Sequence, residues 1–433
     1  MTRSVSIRDR IARAMVRPAF ARVLALAFSL AILAAAEFAA RALVPVAELD
    51  RVWSIIERDS ALMWRNRPDL RTEFAGVPVR ADRRGFRISA ERPAAIDDRR
   101  SDAPRIVCLG ESPTFGWGVR FEDAYPARVE KLLSERLGRA VEVVNAGMIG
   151  YSSHQGRLLL EREILALRPD IVSVPFVIND IDKYRFYYND GGPDRGVVPA
   201  RRALTTAENL LDRSRFFQVF TRAFRQVAYR GETADGKPMA FYRPQRLRVD
   251  LADYRENLVA IARICREHAI TPVFLAMKVN LPVAPVIAPE AATAAAEHVA
   301  AAERAIDEGR TDDAKRELDA AAGLDPTNCE IVYHRAVMAR HAGDARGAEA
   351  AFAETMDCEA GRCGRDALTY NIEMGRIATE EQVRFIDIAA SFAGAPGVEY
   401  FRTLQRDPIH PNEAGHRLIA DRLAEVAERV LAK

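Results

Sequence analysis

Five short apolar runs, separated by stretches with helical periodicity, restrict this chain to an α/β arrangement. Ile106–Leu109, Val141–Val144, Ile171–Phe176, Val273–Met277 and Phe385–Ile388 have the length and composition of strands. Around them, Ala124–Leu137, His154–Leu167, Leu251–His268 and Glu413–Leu431 carry apolar residues at helical spacing. Strands that alternate with helices build a parallel sheet covered on both faces. Reactive groups in such a sheet collect beyond the carboxyl ends of the strands.

Two segments interrupt the alternation. Residues 184–245 are long for a connection and rich in Arg and aromatic residues, among them Tyr184, Phe186, Tyr187, Tyr188, Phe216, Phe217, Phe220 and Phe224. A segment of this length serves as a lid or binding element, or packs as a small helical satellite. Residues 289–366 are Ala-rich and internally repeated: Gly309 to Gly343, Ala314 to Ala348 and Leu318 to Phe352 are each 34 residues apart. That period, with Gly309, Ala314, Leu318, Ala321 and Pro326 in the first unit, resembles the tetratricopeptide repeat. The early aromatic positions of that repeat are missing, and Thr355 and Ala360 depart from it in the second unit. The segment reads either as a groove for a protein partner or as a plain helical hairpin insertion. With two units visible, it must lean on neighbouring structure, because about three are needed for a stable array.

The N-terminus has an export pattern. Arg3, Arg8, Arg10, Arg13 and Arg17 precede an apolar stretch from Val23 to Ala36, opposed only by Asp9. The basic end stays cytoplasmic and the rest crosses the membrane. One reading is an uncleaved anchor from about Pro18 to Val44, long enough for a span of about 20 residues. Another is a signal peptide cut at Ala34-Ala35-Ala36, and a third is a buried soluble helix. The anchor is preferred because the helical pattern continues past Ala36, although Arg22, Glu37 and Arg41 are awkward near the ends of a span. Both export readings place the remaining chain in the periplasm, the first at the inner membrane and the second free of it.

At 433 residues the chain exceeds one average domain. Its 63 basic and 61 acidic residues nearly balance, which gives no case for a nucleic-acid partner. Of five cysteines, Cys108 and Cys265 fall in a core strand and an amphipathic helix and read as buried thiols. Cys329, Cys358 and Cys363 cluster late in the chain. Outside the cytoplasm a disulfide is permitted there, joining Cys358 either to Cys363 or to Cys329. A zinc site is the weaker reading, because no fourth ligand has suitable spacing.

Four blocks carry chemistry: Gly110-Glu111-Ser112-Pro113-Thr114-Phe115-Gly116, Asn145-Ala146-Gly147-Met148-Ile149-Gly150, Val177-Ile178-Asn179-Asp180 and Asp407-Pro408-Ile409-His410. Each follows a predicted strand or precedes the last helix. Ser112 is a candidate nucleophile; a serine hydroxyl needs a base to take its proton. His410 is the candidate base, and Asp407 three residues earlier can orient its ring, since Pro408 and Pro411 keep the backbone non-helical. His416, on the last helix, reads as a surface residue. The backbone N–H groups of Ser112 and Gly150 and the Asn179 amide suit an oxyanion, with Gly147 as an alternative donor. Taken singly, each is also an ordinary residue: a serine in a strand–helix loop, a turn glycine, a turn asparagine, a structural histidine.

In this order the blocks resemble those of SGNH (GDSL-type) hydrolases, which centre on Ser, Gly, Asn and His. The similarity covers about residues 105–181 and 385–431, and more loosely 251–277. Residues 64–87, ending Arg84-Gly85-Phe86-Arg87, are similar to the lead-in of membrane-anchored bacterial members. The resemblance implies a flavodoxin-like three-layer α/β/α sandwich with a parallel sheet, and serine esterase or acyl-transfer chemistry without metal or cofactor. Ser112 then becomes nucleophile, His410 base with Asp407 as its partner, and Gly150 and Asn179 oxyanion donors alongside the Ser112 N–H. Two positions depart from the family pattern. Glu111 replaces an Asp, which predicts a looser backbone tether, and Val177-Ile178 replaces a glycine-containing lead.

The chain then divides into a signal-anchor segment (1–45), a lead-in (46–104) and a hydrolase domain (105–288 and 367–433). The lid-like segment (184–245) and the tetratricopeptide-like segment (289–366) are insertions. The expected activity is hydrolysis of O-acyl esters of an envelope glycan or lipid through an acyl-enzyme on Ser112. Acyl transfer to an envelope polysaccharide is the near alternative. A non-catalytic envelope scaffold that binds a protein partner through residues 289–366 is the alternative from another class.

Overall fold

The computed structural model describes residues 7–44, 54–89, 102–181, 193–196, 202–228, 247–277, 294–326, 328–358, 364–393, 400–401 and 409–432. Helix α1 (Ile7–Leu43) comes first, followed by five short strands: β1 (Ile56–Asp59), β2 (Met63–Asn66), β3 (Arg71–Phe74), β4 (Val77–Ala81) and β5 (Arg87–Ile88). Next come β6 (Arg105–Gly110), a single helical turn α2 (Ser112–Phe115), α3 (Tyr125–Leu137), β7 (Glu142–Gly147), α4 (Ser153–Leu159) and β8 (Ile171–Val174). The first insertion holds α5 (Arg202–Asp212) and α6 (Arg215–Ala228). Then α7 (Leu251–Glu267) leads to β9 (Thr271–Ala276). Helices α8 (Ala294–Asp307), α9 (Thr311–Leu324), α10 (Cys329–His341), α11 (Ala345–Cys358) and α12 (Gly364–Glu380) precede β10 (Arg384–Asp387), α13 (Ile388–Ala393) and α14 (Glu413–Leu431).

The chain forms two compact units, Met1–Arg51 with Thr206–Ala228, and Val52–Thr205 with Tyr229–Lys433. The smaller unit is built on α1 and α6. Its segment Phe20–Leu43 has a mean hydropathy of 2.2 and is long and apolar enough to cross a membrane. As a leading apolar helix it fits a membrane anchor or a signal sequence.

The larger unit contains an eight-stranded sheet in the order β10-β9-β8-β6-β7-β5-β4-β3. Strands β6 to β10 are mutually parallel, with Cys108 opposite both Asn145 and Ser173. Their order, with the first strand between the second and third, is the flavodoxin-like one. The five strands expected from the apolar runs are these five. β6 is buried at all six residues, as a central strand covered on both faces must be. On one face the core gathers Val129 and Leu133 of α3 and Ile419, Leu423 and Ala427 of α14. On the other it gathers Leu159, Leu258, Ile261 and Tyr370 from α4, α7 and α12, together with Trp64 and Phe86.

The lead-in adds what the apolar runs did not reveal. β5, β4 and β3 extend the sheet beyond β7 in antiparallel fashion, and β1 and β2 form a separate hairpin. Trp64 Nε1 donates to Ile149 O at 2.8 Å, and the Tyr151 hydroxyl donates to Trp64 O at 2.6 Å, which fastens this segment to the loop after β7.

Helices α8 to α11 form two hairpins, and α11 begins 34 residues after α9. Ala336, Ala348, Phe352 and Ala353 of α10 and α11 belong to the same core as the sheet residues, so the insertion leans on the catalytic fold. Cys329 is disulfide-bonded, with its partner outside the described side chains. Cys108 and Cys265 are free and buried, and burial pushes both thiols up to about 12.

One expectation is corrected. His416 lies in the core rather than at the surface. Its Nδ1 accepts the Tyr125 N–H at 3.2 Å, and burial lowers its pKa to about 3, so it is neutral. The helix places it one turn beyond the capping Asn412, on the face that meets α3.

Candidate active site

β6 and β8 lie where the strand order reverses, and a crevice outside their carboxyl ends is the expected place for chemistry. Ser112 follows β6 and Asn179 follows β8. Ser112 opens α2, and Gly116 closes it with φ of 84°, a conformation that favours glycine. The turn is pressed against β7: a Cβ on Gly147 would come within 2.1 Å of Phe115 N.

Arg87 fixes the far end of the turn. It is 1% exposed, and its guanidinium donates to Phe115 O at 2.8 Å, Gly116 O at 2.6 Å and Val119 O at 2.8 Å. Burial lowers its pKa to about 10, which leaves it charged at neutral pH. A cation among the last carbonyls of a helical turn satisfies groups that otherwise lack donors.

His410 comes from the other end of the fold. Its Nε2 lies 2.9 Å from Ser112 Oγ, and both residues are largely buried. Behind it, Asn412 caps α14, accepting from the N–H groups of Ala414 and Gly415 at 3.0 Å each. The imidazole stacks on Trp117, with ring centroids 4.7 Å apart and planes at 15°, and Phe74 of β3 meets Trp117 edge-on at 4.6 Å. Asp407, expected beside the base, lies outside the described residues.

In the turn after β7, Gly147 N–H donates to Asn145 Oδ1, Met148 N–H to Gly110 O, Ile149 N–H to Asn66 Oδ1 and Tyr151 N–H to Met148 O. Among the described residues the Gly150 N–H has no acceptor, and neither has the Ser112 N–H. Gly150, at φ of 76°, is held from behind by Arg248, whose Nη1 donates to its carbonyl at 2.8 Å. Arg248 is itself fixed by a buried ion pair with Asp194 at 2.7 Å. Of the two glycines weighed as donors, Gly150 has the open N–H and Gly147 does not.

Asn179 is engaged. Its amide donates to Glu111 Oε2 and, at 3.2 Å, to Tyr151 O; its backbone N–H also donates to Glu111 Oε2 at 3.3 Å. Glu in place of Asp thus keeps a tether between the first and third blocks, contrary to the looser tether expected. Glu111 is fully buried, and burial together with the nearby Asp180 raises its pKa to about 8. Asp180 is pushed up to about 7 by burial, opposed by the Ser153 hydroxyl and N–H.

The structure therefore brings Ser112, Gly150, Asn179 and His410 to one place. Trp117 and Arg87 were not found in the sequence. Trp117 stands between Gly116 and Gly118, both at positive φ, which marks a turn without saying what the indole covers. Arg87 closes the quoted Arg84-Gly85-Phe86-Arg87, but nothing in its spacing shows that it is buried.

A serine hydroxyl bonded to an imidazole, with open backbone N–H groups beside it, defines a serine hydrolase. Residues 108–322 match the model of the GDSL-like lipase/acylhydrolase family. Among solved structures, a lipase/acylhydrolase from Enterococcus faecalis is 14% identical with a TM-score of 0.37, covering 75% of this chain and 96% of its own. An acetylxylan esterase from Geobacillus stearothermophilus is 15% identical with a TM-score of 0.35, covering 75% of this chain and 93% of its own. No curated protein matches the chain.

Proposed function

We propose that this protein is a membrane-anchored serine esterase that hydrolyses O-acyl esters of the cell envelope. The observation that carries the chemistry is the 2.9 Å contact between His410 Nε2 and Ser112 Oγ beside the open N–H groups of Ser112 and Gly150. Ser112 Oγ attacks the ester carbonyl while His410 takes its proton. The oxyanion then rests on the N–H groups of Ser112 and Gly150, and on Asn179 once its amide turns from Tyr151 O. The alcohol leaves with the proton from His410. Water, deprotonated by the same imidazole, attacks the acyl-enzyme and releases the carboxylic acid and Ser112. Asp407 is assigned to orient the imidazole.

The envelope reading rests on the apolar segment Phe20–Leu43 behind an Arg-rich start and on the disulfide at Cys329, a bond that persists in oxidising compartments. O-Acetylated glycans and lipid esters are the esters met there.

A fluorophosphonate probe tests the chemistry. The expected result is labelling of the wild type and none of Ser112→Ala. Absence of labelling in folded wild type would point instead to a scaffold that binds a partner through residues 289–366. Esters of graded acyl length, assayed with and without sugar acceptors, then identify the acyl group and separate hydrolysis from transfer.

A further inference from the structure

We infer that α6 is a membrane-interface helix, seated at the lipid surface by α1 and facing the acyl chains with its phenylalanines. The inference rests on the anchored reading above and gives the chain a second lipid contact.

The sequence Arg-Phe-Phe-Gln-Val-Phe-Thr-Arg-Ala-Phe-Arg-Gln-Val-Ala of α6 divides cleanly at helical spacing. Phe216, Phe217, Phe220, Phe224 and Val227 fall on one arc, and Arg215, Arg222 and Arg225 on the opposite one. No acidic residue is present in the helix. On the apolar arc Phe220 is 58% and Phe216 38% exposed, and their rings stack 6.3 Å apart. Leu210 and Phe38 of the same unit are also exposed. Contiguous exposed aromatics call for a covering partner.

The link to α1 identifies that partner. Glu37 lies within the apolar span, where a carboxylate is costly without donors. It caps α6: its oxygens accept the Arg215 N–H at 3.0 Å, the Phe216 N–H at 2.9 Å and the Ser214 hydroxyl at 2.8 Å, with Arg41 Nε at 2.6 Å. Glu37 stands six residues before Leu43, the end of the span, a rise of about 9 Å. Amphipathic helices settle about 5–10 Å into the boundary between headgroups and acyl chains. The cap therefore starts α6 at that depth. The arginines of its other arc, in a helix whose own sequence has no acidic residue, suit anionic phospholipid headgroups. Glu37 and Arg41, awkward as parts of a bare span, are accounted for as the fastening of this helix.

The test uses the full chain in vesicles of phosphatidylcholine and phosphatidylglycerol, with a nitroxide on Phe220→Cys or Arg222→Cys. The ratio of collisions with oxygen to collisions with a water-soluble nickel chelate is expected to be at least about fivefold higher at position 220 than at 222. Adding Glu37→Ala should remove that difference while fluorophosphonate labelling of Ser112 persists, which shows that the rest of the chain is folded. Equal ratios at the two positions in an intact chain overturn the inference. Dipolar broadening between labels at 220 also overturns it, because a second copy then covers the face. Intact mass separates the two readings: a chain cleaved after Ala36 ends the anchored reading and this inference together, whereas an uncleaved chain with equal ratios ends the inference alone.

Discussion

The proposed nucleophile, Ser112, and the proposed base, His410, are held in different ways. Ser112 sits on a turn fixed from three sides: by Arg87 on its carbonyls, by Gly147 beneath Phe115 and by the bond from Asn179 to Glu111 before it. Those contacts come from the sheet, its lead-in and the turn after β8. His410 is carried by the segment before α14 and rests on Trp117. Changes around the serine therefore disturb folding and catalysis together, whereas changes around the histidine reach catalysis alone.

That contrast can be broken or sharpened in order of effect. His410→Ala is expected to lower kcat by about 10⁴–10⁶-fold with an unchanged melting temperature, measured on an activated ester. A large loss of stability would erase the distinction. Asn179→Ala should lower kcat by about 10²–10³-fold if its amide supports the oxyanion. An effect confined to KM would leave Asn179 as the tether of Glu111. Arg87→Leu removes donors from three buried carbonyls and should cost about 3 kcal/mol in urea unfolding, which tests whether the serine side is coupled to stability. Trp117→Leu removes the stacking surface of the imidazole and should lower kcat by about 3–10-fold, the kinetic equivalent of about 0.5–1.5 kcal/mol, at nearly constant stability.

A separate effect concerns pH. Glu111 is raised from 4.5 to about 8 and Asp180 from 3.8 to about 7, so the folded chain holds these protons more tightly than the unfolded one. The associated stability is fully present below about pH 4, declines as pH rises and levels off above about 8. Glu111→Gln should flatten the upper part of this decline in unfolding experiments across pH. An unchanged slope would show that Glu111 is ionised throughout.

Much of this was legible because periodicity and motif order are local properties. Each apolar run from Ile106 to Ile388 became a parallel strand, and Ser112, Gly150, Asn179 and His410 converge because each follows a strand or precedes α14. What was hidden depends on partners distant in sequence. β3, β4 and β5 are short and mix exposed with buried positions, so they lack the continuous apolar run of a central strand. Arg87 gave no sign of its burial in the sequence, because that burial depends on the distant carbonyls of Phe115, Gly116 and Val119. His416 reads as exposed because helical spacing does not reveal that α3 covers that face. The open N–H of Gly150, as against the engaged one of Gly147, follows from the side chains of Asn66 and Asn145, which no spacing rule ranks.

The contact between Ser112 and His410 spans 298 residues of chain. At ribosomal speeds of about 5–20 residues per second, the imidazole is made roughly 15–60 s after the serine. Throughout that interval the emerging polypeptide carries a hydroxyl with no base beside it. Synthesis order thus leaves Ser112 without this imidazole until nearly the whole chain has been made.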